Sequence, residues 1–136
     1  MKKIVNSVFL FLMLVITGVK ISSAQGFDNI RQLKLEIVLR EMNLNKDTEK
    51  KFLPLYTRYS DETLAIKKKL KTLEESTDNS NPQRKIQERE QYKQQILDIE
   101  KRYKDQFLRI ISPSELDKMY KGEEKFKQKL LELRSR

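Results

Sequence analysis

Apolar residues recur in alternating steps of four and three along most of this chain, and that spacing admits little except packed helices. One series runs Phe52, Tyr56, Tyr59, Thr63, Ile66, Leu70, Leu73; a second Tyr92, Ile96, Ile99, Tyr103, Phe107, Ile110; a third Leu116, Met119, Glu123, Phe126, Leu130, Leu133. Each keeps one face of a helix turned toward a partner, with Thr63 and Glu123 as the polar members. The series predict helices over about 46–74, 82–110 and 113–134. A shorter helix over about 28–42 carries apolar residues on two sides, with Ile30, Leu33 and Ile37 on one and Leu35, Val38 and Met42 on the other. One side serves a core; the other needs a partner. β-Branched residues form no alternating run, so no strand is predicted. The expected fold class is all-α: four helices with a long antiparallel hairpin.

The punctuation between these segments agrees. Residues 76–82 read STDNSNP, a polar loop that reverses the chain, with Asn81 as helix cap and Pro82 in the first turn, where its missing N–H costs nothing. Ser112, Pro113 and Glu115 have the spacing of a capping box, with Ile111 and Leu116 placed for the hydrophobic staple. At the second helix Asn45 caps and Asp47 suits the positive end. Pro54, about two turns into that helix, removes one backbone hydrogen bond and is expected to bend it. Gly122 weakens the last helix by ~1 kcal/mol relative to alanine unless packing requires it.

Residues 1–24 have the three parts of an export signal. Lys2 and Lys3 are followed by an apolar run from Ile4 to Val19 and by the small residues Ser22, Ser23 and Ala24, after which cleavage is expected. The run is short of the ~20 residues that span a bilayer, so no stable membrane insertion is expected after cleavage. Residues 25–136 then form one domain. The chain has 29 basic and 20 acidic residues, and loss of Lys2, Lys3 and Lys20 leaves 26 against 20, a net +6. A basic exported protein does not meet the genome, so nucleic acid is not an expected partner. There is no cysteine, hence no disulfide and no lipobox; the released chain is expected to reside in the periplasm of a Gram-negative bacterium.

The similar openings of the second and fourth helices carry a family resemblance. Leu44-Asn45-Lys46-Asp47-Thr48 and Ile111-Ser112-Pro113-Ser114-Glu115 resemble the paired LTxxQ motifs of the Spy/CpxP family of periplasmic stress proteins. Phe52-Leu53-Pro54-Leu55-Tyr56 is similar to the stretch that follows the first motif in the Bacteroidetes version, labelled sensor of ECF-type sigma factor or periplasmic heavy-metal sensor. Residues 97–131 resemble the third and fourth helices of that version. The likeness covers nearly all of residues 30–134. Asn45 stands where the family has threonine, Lys46 where proline is frequent, and neither motif ends in glutamine.

The resemblance implies a hooked hairpin arrangement, a homodimer, and one of two functions. The first is a periplasmic, ATP-independent chaperone that holds unfolded or misfolded envelope proteins. The second is an envelope-stress regulator that docks on the periplasmic part of a sensor kinase or an anti-sigma factor. For either, the residues that offer apolar or cationic contact are Arg31, Lys34, Leu35, Val38, Arg40, Met42, Leu53, Arg58 and Leu64. A basic surface attracts partners over distance, and modest apolar patches release them.

Composition argues against an enzyme. The chain has no histidine and no cysteine, so a serine nucleophile lacks its usual base and a zinc site its preferred ligands. Glu74-Glu75 and Glu123-Glu124 are neighbours about 100° apart on a helix and do not form a paired acid and base. Met42 and Met119 fall at core spacing, which removes soft-metal sensing; no cofactor and no metal are expected. Lys67, Lys68, Lys69 and Lys71 most simply form the wet side of the Ile66–Leu70 stripe.

Overall fold

The computed structural model describes residues 23–136, and every regular element among them is a helix: α1 (Ser23–Met42), α2 (Lys46–Glu75), α3 (Pro82–Phe107) and α4 (Pro113–Arg134). Up to residue 22, the expected export segment lies outside the described residues. The chain divides into two compact units, one ending at Glu36 and the other covering Ile37–Arg136. In the first, α1 starts at Ser23, earlier than the apolar spacing predicts. Gly26 costs a helix ~1 kcal/mol relative to alanine but does not end one.

In the second unit the helix ends are built as the side chains dictate. Asn45 Oδ1 accepts the Thr48 amide at 2.8 Å and Asn81 Oδ1 accepts the Arg84 amide at 3.0 Å. At α4 both arms of the capping box form: the Glu115 amide donates to Ser112 Oγ at 3.1 Å, and the Ser112 amide donates to Glu115 Oε1 at 2.9 Å. Ile111 and Leu116 are both buried beside it. α1 ends on Asn43, whose φ of 47° places it in the left-handed region that asparagine tolerates, and its amide reaches back to Leu39 O at 3.0 Å. α2 runs through Pro54 without interruption.

α3 stops at Phe107, short of the expected residue 110. Arg109 and Ile110 turn back onto the carbonyls of Gln106 and Phe107, at 3.2 and 2.8 Å, tightening the last turn. Pro113 supplies the reason: the residue before a proline is held extended, and Ser112 has ψ of 160°.

α2 and α3 lie antiparallel, since Phe52 meets Phe107, Glu62 meets Arg102 and Glu74 meets Arg89. The buried side chains gather at one end of this hairpin. Phe52, Leu55, Tyr56 and Tyr59 of α2 join Tyr103 and Phe107 of α3, Leu116, Met119 and Phe126 of α4, and Val38 and Met42 of α1. The rings of Phe52, Tyr56, Tyr59, Tyr103 and Phe107 form a continuous cluster with centroids 5.2–6.5 Å apart, within the range of favourable tilted and edge contacts.

Gly122 has the packing reason its helix propensity lacks. A Cβ placed there would lie 2.8 Å from Val38 Cα and 3.4 Å from Glu41 Cβ. α1 and α4 therefore cross backbone to backbone at this point. Lys125 of α4 is paired with Glu41 beside the crossing.

Beyond the base the hairpin continues as a two-helix arm. From Leu64 to Arg102 no side chain is fully buried, although Ile66, Leu70, Leu73, Tyr92, Ile96 and Ile99 keep the helical stripe and are half-covered. Two helices alone cannot close a seam that a third would cover.

Candidate functional site

The polar members of the apolar series mark where the base becomes the arm. The Thr63 hydroxyl donates to Tyr59 O at 2.9 Å, so its polarity is satisfied within α2. Glu123 stands in the α4 stripe because the Tyr59 hydroxyl donates to its carboxylate. Burial, followed by the Glu123 charge, raises the ionisation of Tyr56 and Tyr59 far above the ordinary phenol value. Tyr103 is raised by burial first and then by its hydrogen bond to Glu62. Glu62 accepts from Tyr103 through one oxygen and from Arg102 through the other, fastening α2 to α3 where the core ends.

The expected contact residues scatter. Val38 and Met42 are 0% and 1% exposed. They are core, which corrects their assignment to a partner-binding face: of the two sides of α1, theirs is the one that meets α4. Arg40 and Arg58 are exposed, and Leu53 and Leu64 are half-buried on α2. In the first unit Arg31 is exposed and Lys34 and Leu35 are half-buried. The family-motif positions divide between capping and core. Asn45, Thr48, Ser112, Pro113 and Glu115 build helix starts, Phe52, Tyr56 and Ile111 are buried, Leu44 is half-buried, and Pro54 is exposed.

Pro54 lines a shallow groove of about 280 Å³ together with Lys51, Leu55 and Arg58 of α2 and with Gln106, Arg109 and Ile110 at the end of α3. Its floor is apolar and its rim is cationic. Of these residues only Arg58 is among the expected contacts. Arg109 and Ile110 reach the groove because α3 ends early, and the apolar spacing places Ile110 on the helix stripe instead. A second surface is the seam of the arm, a long half-covered strip that runs through Ile66, Leu70, Leu73, Tyr92, Ile96 and Ile99.

Among the described residues no group of three carboxylates, histidines or cysteines is placed to hold a metal ion, and no helix is long and apolar enough to cross a membrane. No family model, curated protein or solved structure matches this chain.

Proposed function

We propose that the protein is an ATP-independent periplasmic chaperone that holds unfolded or stress-exposed polypeptides on the seam of the α2–α3 arm. The observation that carries this reading is the run from Leu64 to Arg102, which keeps an apolar stripe yet buries none of it fully. A strip of half-covered leucine, isoleucine and tyrosine gains free energy by covering with any apolar chain, at ~25 cal/mol per Å² removed from water. It is shallow, so it selects weakly between clients and releases them. The basic surface raises the rate of encounter with acidic clients. The homodimer implied by the Spy/CpxP resemblance belongs to the same proposal: a second copy covers one flank of the arm and leaves the other for clients.

The test uses purified residues 25–136 with several unrelated, chemically unfolded client proteins, following aggregation by light scattering without ATP. Suppression near stoichiometric amounts is expected, with most of it lost in the Leu70→Ser, Ile96→Ser double variant. A folded, helical protein that suppresses nothing overturns the reading in favour of the regulator that docks on a sensor kinase or anti-sigma factor.

A further inference from the structure

We infer that the groove between α2 and the end of α3 is a binding site for an extended peptide segment in which carboxylates flank an apolar side chain. Three cations, Lys51, Arg58 and Arg109, rim it, and no acidic residue lines it. Some cations elsewhere on this surface are held by acids, as Arg102 is by Glu62 and Lys125 by Glu41. Others, such as Lys93 and Lys101, are held by none among the described residues. What sets these three apart is that they share one groove whose lining contains no acid. None of the three rim cations forms an ion pair or a side-chain hydrogen bond among the described residues.

The two kinds of lining define the ligand. Leu55 forms a floor only 4% exposed, with Pro54 and Ile110 beside it. Inorganic phosphate gains nothing from such a floor, and a purely apolar segment leaves the rim unused. The guanidinium groups of Arg58 and Arg109 match a carboxylate with two parallel N–H donors each. Arg109 also faces the negative end of the α3 dipole, which offsets part of its charge, so Lys51 and Arg58 carry more of the attraction for an anion. The half-buried Gln106 amide supplies a donor and an acceptor for the backbone of a segment lying across the groove. A lipid surface fits less well: Leu55 is only 4% exposed, and a flat bilayer has no projecting side chain to reach it. The inference is independent of the arm, since a protein that holds no unfolded clients can still bind one acidic segment.

Fluorescence anisotropy with the purified protein tests it, using a labelled short peptide that alternates glutamate and leucine, its glutamine analogue, and vesicles of anionic phospholipid. The glutamate peptide is expected to bind, to weaken with added salt, and to bind about tenfold or more weakly to the Arg58→Gln, Arg109→Gln variant. Both arginines are exposed, so that variant retains its circular dichroism. Lys93→Gln with Lys101→Gln removes the same charge from exposed positions on α3 outside the groove and is expected to bind as the parent does. Equal loss in the two double variants, equal binding of the glutamine peptide, or full displacement by inorganic phosphate at matched ionic strength overturns the inference. So does vesicle binding that depends on Arg58 and Arg109 without peptide binding.

Discussion

Ser112 and Glu115 exchange hydrogen bonds at the start of α4, and each satisfies an amide that the helix itself leaves open. Ser112→Ala is expected to cost ~1 kcal/mol, read as a lower urea midpoint at unchanged slope. The buried phenols set a pH dependence of the opposite kind to acid denaturation. Tyr56 and Tyr59 have folded ionisation raised above the ordinary value of 10.0, by burial and by Glu123. The unfolded chain therefore releases their protons first. Their contribution to stability is complete below about pH 10 and is lost progressively above it. Urea midpoints followed from pH 8 to 11 are expected to fall at the alkaline end, and to fall less in Tyr59→Phe. These capping residues are legible from local spacing alone, because a cap involves residues three apart in the chain. Asn43 is not legible in the same way. Its left-handed φ of 47° closes α1 at the short turn into α2, where its amide returns to Leu39 O, and no side chain three residues away marks it as a capping box marks Ser112.

At the scale of the element, Gly122 sets two effects against each other. Alanine gains ~1 kcal/mol of helix propensity over glycine. Its methyl would also sit 2.8 Å from a backbone carbon of α1, and overpacking of this kind costs ~1–3 kcal/mol. The obstacle is backbone and not a flexible side chain, so the steric term is expected to win. Gly122→Ala should lower the thermal midpoint, whereas a rise would show that α1 and α4 do not cross as closely as described. The extent of α3 shows the same limit of local reasoning. Periodicity carries the helix to Ile110, but Pro113 holds Ser112 extended and the chain needs the last residues to turn. Val38 and Met42 were open between core and partner because α1 is apolar on two sides. Only the position of α4 decides which side is covered.

For the whole molecule, stability is unevenly distributed within residues 37–136. The base holds the aromatic cluster and every fully buried side chain of α2 and α3, while the arm from Leu64 to Arg102 is held by its seam and by cross-hairpin pairs such as Glu74–Arg89. An ion pair exposed to water contributes ~0–1 kcal/mol. Amides of the arm are therefore expected to exchange with solvent by local opening, ahead of those around Tyr56 and Phe107, which exchange only through global unfolding. Uniform protection across α2 and α3 would show that the arm is covered, and would point to a second copy on it. The sequence by itself determined that the chain is all-α, where three of its helices begin, and which face of each is apolar, because caps and periodicity are written within a few residues. Only the tertiary structure decided where burial stops along the hairpin, which side of α1 faces the core, why a glycine sits in α4, and that Lys51, Arg58 and Arg109 surround one groove. Those depend on distances between residues far apart in the chain, which no local spacing records.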